Sequence, residues 1–245
     1  MKKAVISLSG GLDSTCLLLK LLAEGYEVRA YSFKYGQKHS VELTKVTQNV
    51  RNLQLIGNFP ITHQIINLED VFSESASSLH QGGEAIPHGH YADENMKSTV
   101  VENRNVIFSA IIYGKALAWA NKTGEKVLIT LGVHGGDHAI YPDCTEESVN
   151  MARELFRISN WGSENVDYEA PFNSMDKAGV LRCGVEAMKA LQFDDERIQY
   201  ILRNTHSCYD PDSKGRSCGK CGTCVERLEA FEKNGMKDPI EYYGK

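Results

Sequence analysis

The stretch Ala4-Val5-Ile6-Ser7-Leu8-Ser9-Gly10-Gly11-Leu12-Asp13-Ser14 decides the fold of this 245-residue chain. A short apolar run leads into a Ser/Gly-rich turn, and the apolar helical pattern of residues 15–22 follows at once. Strand, glycine turn and helix start in this order form a phosphate-binding loop. Glycine lets the backbone approach the anion, and the free N–H groups of the first helical turn point at it. Ser14 is predicted to be the helix N-cap.

We predict that this loop binds ATP through Leu8, Ser9, Gly10, Gly11, Leu12, Asp13, Ser14 and Thr15. The serines add hydroxyl donors, and the aspartate offers a carboxylate ligand for Mg²⁺. The pattern lacks the Gly-Lys-Ser/Thr ending of the Walker loop and the G-x-G-x-x-G of dinucleotide folds. It resembles the SGGxDS loop of the N-type ATP pyrophosphatases, which cleave ATP between the α and β phosphates. The plain alternative is a turn that is merely rich in small residues.

Composition and charge exclude several classes of protein. The hydrophobic content of 42% is enough for the core of one α/β domain, and the net charge of −5 argues against a general nucleic-acid binder. The first apolar run ends at Ser7, too early for a secretion signal, and no later run is long enough to cross a bilayer. Seven cysteines, an odd number, argue against a disulfide framework. We therefore expect a cytoplasmic protein.

Apolar runs alternate with helical patterns along the chain. Strands are predicted at residues 4–8, 27–33, 61–67, 126–132 and 166–171, and helices at 14–24, 40–55, 105–121, 145–158, 176–191 and 194–203. This alternation predicts an α/β fold with a Rossmann-like parallel sheet and helices on both faces. Ligands of such sheets bind at the carboxyl ends of the strands, so the residues that follow the strands should converge on one crevice.

Two further segments complete the predicted organisation. Residues 1–204 are expected to form the ATP pyrophosphatase-type domain, and residues 205–245 a small zinc-binding segment packed on it. The Ser-, Gly- and His-rich segment 73–98 is unusually long for a loop inside a compact domain. We expect it to cover the active site rather than to be a passive insertion.

The zinc prediction rests on four clustered cysteines, Cys208, Cys218, Cys221 and Cys224. Two successive C-x-x-C spacings with small residues in the gaps let several thiolates converge on one ion, as tetrahedral zinc requires. Four thiolates leave no open position, so the zinc would be structural. An iron–sulfur cluster is the main alternative, although the further cysteine and proline of ferredoxin motifs are missing. The remaining alternative to a zinc site is a group of cysteines that binds no metal.

Segments spread over the whole chain carry a more specific resemblance. They include Ser9 to Ser14, Tyr35-Gly36-Gln37-Lys38-His39, Arg104-Asn105, Tyr141-Pro142-Asp143-Cys144, Lys177 and the four clustered cysteines. In these segments the chain resembles the 7-cyano-7-deazaguanine synthase family, which makes the nitrile precursor of queuosine and archaeosine. The resemblance implies an ATP-dependent ligase that uses Mg²⁺, carries a structural zinc and forms a homodimer.

The reaction that the resemblance implies suits these residues. ATP adenylates a deazaguanine carboxylate, and ammonia displaces AMP to give an amide. A second adenylation, on the amide, followed by loss of AMP gives the nitrile. Such chemistry needs positioning and charge neutralisation more than a strong base. Asp13, Arg104 and Lys177 are the predicted catalytic residues. Substrate contacts are predicted for Tyr35, Gln37, Lys38, His39, Asp137, Tyr141 and Asp143, where an aspartate can accept hydrogen bonds from the N–H edge of a guanine-like ring.

Residues 134–140 motivate an alternative function. They read His-Gly-Gly-Asp-His-Ala-Ile, whereas many members of the family carry Cys-Glu-Thr-Asp-Phe-Ser-Gly there. A relative that joins the same adenylated carboxylate to another amine, such as one on a protein partner, is therefore kept open. A tRNA thiolase or lysidine-type ligase is a further alternative, which the acidic balance disfavours. A module that only binds nucleotide, without catalysis, is the last alternative function. We expect His134 and His138 to contact substrate or the loop rather than a second metal.

Overall fold

The computed structural model of the protein describes residues 1–90, 94–136 and 140–244. The strands in these ranges are β1 (Lys2–Ser7), β2 (Tyr26–Lys34), β3 (Ile61–Asn67), β4 (Val127–Thr130) and β5 (Val166–Glu169). The α-helices are α1 (Leu12–Ala23), α2 (Val41–Gly57), α3 (Arg104–Thr123), α4 (Glu146–Ser159), α5 (Lys177–Ala190), α6 (Asp195–Arg203) and α7 (Gly222–Lys233). Nowhere in these ranges is a helix both long and apolar enough to span a membrane.

The strands form one sheet in the order β3-β2-β1-β4-β5, and every neighbouring pair is parallel. The chain builds outward from β1 to β3 and then returns to add β4 on the other side of β1. The connections leaving β1 and β4 therefore diverge, which opens a crevice at the carboxyl ends of these two strands. The predicted Rossmann-like parallel sheet is confirmed.

Two hydrophobic cores flank this sheet, because successive side chains of a strand point to opposite faces. Ala4 and Ile6 of β1 pack against α1, α2, α5 and α6 in one core, which also takes in Phe231 of α7. Val5, between them, belongs to the other core together with α3 and α4. Helices therefore cover both faces of β1, which explains why its sequence is an unbroken apolar run.

Two helix predictions need correction. Helix α1 begins at Leu12 with Gly11 as its N-cap, so Ser14 lies inside the first turn and is not the cap. Leu12 is fully buried, and placing it in the core draws the start of the helix forward. Helix α7 was not predicted, because it begins inside the cysteine cluster, with Cys221 as its N-cap and Cys224 in its first turn.

The long segment 73–98 packs largely beside the cleft that is described below. Leu79 and Met96 are buried, and His80 forms an isolated antiparallel bridge with Gln37. A short 3₁₀ helix, Glu94–Thr99, ends the segment, and the Thr99 and Tyr141 hydroxyls lie 2.8 Å apart. Within residues 73–90 and 95–98, no side chain lines the cleft. The expected role as a cover stays a prediction.

Candidate active site

A cavity of about 200 Å³ opens at the carboxyl ends of β1, β2 and β4. Residues from the predicted phosphate loop, the 35–39 segment, the start of α3, the 131–144 segment and the start of α5 meet here. The predicted site residues that line it are Leu8, Ser9, Gly11, Asp13, Ser14, Tyr35, His39, Arg104, Tyr141 and Lys177. The fold thus joins segments that the sequence holds far apart.

The phosphate loop has the geometry that its glycines predict. Gly10 has a φ of +91°, and a Cβ on it would lie 2.7 Å from the carbonyl oxygen of Glu42. At the end of β4, a Cβ on Gly132 would lie 3.1 Å from the backbone nitrogen of Ser14. The Ser9 and Ser14 hydroxyls lie 3.0 Å apart, and the Gly11 N–H donates to Ser9 Oγ at 3.1 Å. Glycine at positions 10 and 132 thus keeps this turn close-packed beside the helix start.

Residues just after α6 hold the loop from the far side. The His206 N–H donates to the carbonyl of Gly10 at 2.9 Å, and the Leu12 N–H donates to Ser207 Oγ at 3.3 Å. His206 and Ser207 also line the cavity, as do Tyr209 and Thr223. His206, Ser207, Tyr209 and Thr223 therefore form a wall of the site. The sequence offered no signal for His206 or Ser207 beyond their place before Cys208.

The charged end of the cleft brings together Asp13 and Lys177. Lys177 Nζ lies 3.5 Å from Asp13 Oδ2, and the lysine is only 6% exposed. Asp176 caps α5 by accepting the Gly179 N–H, which places Lys177 at the first helical position. Asp13 lies in the first turn of α1, where the helix dipole favours negative charge. Among the residues that the structure describes, Asp13 Oδ1 is buried and has no hydrogen-bond partner. A carboxylate oxygen in this position is suited to bind a cation.

Two further side chains face this pair, and one of them was missed by sequence reasoning. Glu226 of α7 brings Oε2 to 3.1 Å from Lys177 Nζ. His134 is fully buried, and its Nδ1 accepts the Gly136 N–H at 3.0 Å. Its Nε2 lies 3.9 Å from Asp13 Oδ2 and 4.0 Å from Glu226 Oε2. His138 lies outside the described residues.

The aromatic side of the cleft is built around Arg104, the first residue of α3. Its guanidinium lies 5.7 Å from the ring centre of Tyr35 and 6.0 Å from that of Tyr141, and Nη1 donates to the Tyr35 hydroxyl at 3.2 Å. Burial raises the pKa of Tyr35 to about 12, so its hydroxyl stays neutral. Across the described ranges, no carboxylate pairs with this guanidinium. A half-buried cation that has aromatic partners, and no carboxylate partner within the described ranges, is suited to bind an anionic ligand.

Glu42, on α2, is a second lining residue that the sequence did not single out. The Gln37 amide donates to its Oε1 at 3.1 Å, and His39 Nε2 lies 3.7 Å from the same oxygen. Burial raises the pKa of Glu42 to about 8, which outweighs the Gln37 hydrogen bond and the charge of Arg104. Burial, with help from His206 and Arg104, lowers the pKa of His39 to about 3. At neutral pH this corner of the cleft therefore holds a protonated carboxyl and a neutral imidazole.

Other predicted contact residues lie behind the lining. Gln37 is buried and accepts the Tyr35 N–H at 2.8 Å, which holds the 35–39 turn. Lys38 donates to the carbonyls of Gly83 and Glu84, at 2.8 and 2.6 Å. Asp143 accepts from the Asn105 amide at 3.2 Å, and Asp137 lies outside the described residues. Gly10 of the loop, and Leu12 and Thr15 at the start of α1, are not among the residues that line the cleft. Their roles as ligand contacts stay predictions.

The four clustered cysteines converge as their spacing predicted. All four Sγ atoms lie within 4.8 Å of one another, and those of Cys218 and Cys224 are 3.9 Å apart. A tetrahedron with Zn–S bonds of about 2.3 Å places its sulfurs about 3.8 Å apart. Backbone N–H groups of Cys218, Lys220 and Cys221 donate to sulfurs at 3.2–3.3 Å, as expected around thiolates that bind a metal. The cluster can hold a metal ion.

Sheet, glycine loop and cysteine cluster together define an α/β protein whose loop between β1 and α1 resembles that of the ATP pyrophosphatases. Residues 3–235 match the family described as "Queuosine biosynthesis protein QueC", and the chain belongs to this family. It is 39% identical over 241 residues to the 7-cyano-7-deazaguanine synthase of Marinomonas sp. (strain MWYL1), covering 98% of both chains. It is 40% identical to that of Methanoregula boonei, covering 98% of this chain and 99% of the relative. The family predicted from the sequence is confirmed.

Proposed function

We propose that the protein is an ATP-dependent carbon–nitrogen ligase that converts 7-carboxy-7-deazaguanine and ammonia into 7-cyano-7-deazaguanine, within queuosine or related deazaguanine biosynthesis. The observation that supports it most is one cleft that holds both the glycine loop with Lys177 and a half-buried Arg104 that lacks a carboxylate partner among the described residues. A reaction that adenylates a carboxylate needs both an ATP site and a carboxylate site. Family membership and the names of the relatives point to the same reaction.

At the phosphate end, the chain supplies positioning and charge. The loop N–H groups and the Ser9 and Ser14 hydroxyls would hold the pyrophosphate part of ATP. Lys177 would neutralise the charge that develops there as the α–β bond breaks. Mg²⁺, when bound, would neutralise phosphate charge, and Asp13 with its buried, unpartnered Oδ1 suits it as a ligand.

At the aromatic end, Arg104 would hold the substrate carboxylate and aim one oxygen at the α-phosphate. The same guanidinium can hold the amide oxygen after ammonia has replaced AMP, so one site serves both adenylations. Tyr35 and Tyr141, which flank Arg104, offer ring faces for the deazaguanine. Gln37, Lys38, His39, Asp137 and Asp143 stay proposed substrate contacts.

The cysteine cluster is proposed to bind one structural Zn²⁺. Residues 1–204 would then carry the nucleotide chemistry, with residues 205–245 as a metal-binding segment packed on them. The Arg227 guanidinium supports this packing, since it donates to the carbonyl of Leu202 and the hydroxyl of Thr205. We place the protein in the cytoplasm, where free thiols stay reduced and available to a metal.

We propose that the protein forms a homodimer through an exposed apolar face of α4. The face repeats at helical spacing and comprises Met151, Leu155 and Ile158, followed by Trp161, which is 97% exposed. The first turn of α4 is acidic, with Glu146 and Glu147, and its last turn carries Arg157. Two copies packed antiparallel would set the acidic turn of each against the basic turn of the other. The face is therefore complementary to itself, as a two-fold interface requires.

The function is tested by incubating the protein with ATP, Mg²⁺, ammonium and 7-carboxy-7-deazaguanine and resolving the products by mass. We expect the nitrile, with pyrophosphate and AMP released. Product that appears only when a protein amine is added would favour the conjugating alternative, which the unusual residues 134–140 support. Turnover that requires tRNA would favour the thiolase or lysidine-type alternative. Nucleotide binding without pyrophosphate release under any of these conditions would contradict all three.

A further inference from the structure

Glu226 lies in the cysteine segment, two residues after Cys224, yet its side chain reaches the ATP end of the cleft. Helix α7 begins at the cluster and packs against α5, where the Asn234 amide donates to the carbonyl of Ala178 at 3.0 Å. From this helix Glu226 Oε2 comes within 3.1 Å of Lys177 Nζ. The carboxylate is 11% exposed, so solvent screens the ion pair only weakly. The contact is built by the fold and is not a flexible surface pair.

Lys177 is bracketed by two carboxylates, because Asp13 Oδ2 lies 3.5 Å from the same nitrogen. If Asp13 turns to a metal ion when ATP binds, it ceases to hold the ammonium. Among the described residues, Glu226 is then the carboxylate that still contacts Lys177. A lysine side chain has four rotatable bonds, so an ammonium without such a partner samples many positions.

We propose that Glu226 is a positioning residue that holds the Lys177 ammonium at the phosphate loop during ATP cleavage. It links the cysteine segment to the chemistry through α7. The proposal rests on the proposed function only because pyrophosphate release is the reaction measured.

The test compares Glu226→Gln with Glu229→Gln, which removes the same charge one turn along α7 from an exposed side chain. We expect Glu226→Gln to lower kcat for pyrophosphate release about tenfold to a hundredfold, with KM for ATP within about threefold of wild type. Zinc content and Tm should match the wild type. The loss of charge repulsion alone would have the opposite effect on activity. Removing the negative charge of Glu226 from beside the phosphates would favour ATP binding and cleavage.

A double-mutant cycle separates positioning from a general structural role. In a Lys177→Gln background, single-turnover cleavage of labelled ATP should change less than about twofold on adding Glu226→Gln. Losses that multiply in the double variant, or a Glu226→Gln enzyme that behaves like Glu229→Gln, would overturn the proposal. If Glu226→Gln loses zinc or melts early, Glu226→Asp takes its place. It keeps the charge but is one methylene shorter, and wild-type kcat in that variant would count equally against the proposal.

Failure of the proposed function gives a different result. A wild type that releases no pyrophosphate with the deazaguanine acid removes that function whatever Glu226 does. The Lys177–Glu226 contact is then judged by the same cycle on the free energy of unfolding. Coupling should be measurable, and additive losses would reject the contact.

Discussion

The ammonium of Lys177 lies 3.5 Å from the Asp13 carboxylate, so the first turns of α5 and α1 face each other across the cleft. One residue belongs to the N-terminal loop and the other begins a helix far along the chain. Each is held by its own helix start. The pair marks the end of the cleft where we place the phosphates of ATP.

Asp13→Asn should abolish most pyrophosphate release and leave the fold intact. The two side chains are nearly isosteric, but the amide is a poor metal ligand and no longer attracts Lys177. We expect a loss of about a hundredfold or more in kcat/KM, with Tm little changed. A coupled pyrophosphate assay measures this, with the exposed Asp167→Asn as control. Near-normal activity would remove Asp13 from the mechanism.

Arg104→Gln should raise the KM for the deazaguanine acid far more than the KM for ATP. The guanidinium is proposed to pair with the substrate carboxylate, and a lost charge-assisted hydrogen bond costs about 1.5–3 kcal/mol, or roughly tenfold to a hundredfold in kcat/KM. Stability should not fall, because the variant removes a half-buried charge that has no carboxylate partner among the described residues. Steady-state kinetics, with each substrate varied in turn, measures both KM values. A rise confined to the KM for ATP would show that Arg104 does not bind the substrate carboxylate.

Glu42→Gln should flatten the dependence of stability on pH. The pKa of Glu42 is raised from 4.5 to about 8 in the folded protein, so the folded state holds a proton that the unfolded state has lost between these values. The free energy of unfolding therefore falls as pH rises through this window, by about 1.4 kcal/mol per pH unit from this group. Denaturant unfolding between pH 5 and 8 compares wild type, Glu42→Gln and the exposed Glu232→Gln. Equal slopes in all three would show that Glu42 is ionised in the fold.

Cys221→Ser should lower metal content and Tm more than it alters the chemistry. The purified wild type should be colourless and carry about one zinc per chain by elemental analysis. Three thiolates bind zinc less tightly than four, so the variant should lose metal to a chelator first and then unfold. Cys183→Ser, outside the cluster, is the control. A brown wild type that absorbs visible light would indicate an iron–sulfur cluster instead.

Leu155→Glu should convert the proposed dimer into a monomer. The substitution places a charge in the centre of the apolar face of α4, where a two-fold contact would bury it twice. Sedimentation velocity reports the change, and Thr47→Glu on the exposed side of α2 should leave the dimer intact. A monomeric wild type at micromolar concentration would contradict the proposed interface.

Local signals were enough for much of this molecule. The apolar run and glycine pair specified β1 and the loop, and strand-helix alternation specified a parallel sheet. The cysteine spacing predicted that the four sulfurs converge, because short turns are enough to bring side chains that are close in sequence to one point. The start of α1 was misplaced because burial of Leu12 outweighed the capping preference of serine. Helix α7 was not predicted, because the cysteines, and not a long periodic apolar stripe, set where it begins.

The sequence by itself determined the fold class, the glycine loop, the cysteine cluster and the family, since each shows as a local motif or as the order of such motifs along the chain. Only the tertiary structure decided which charges share the cleft. Glu226 meets Lys177 because α7 packs on α5, and Glu42 is protonated because α2 buries it beside Gln37. Burial and through-space distance set these properties, and neither is written in the spacing of residues along the chain.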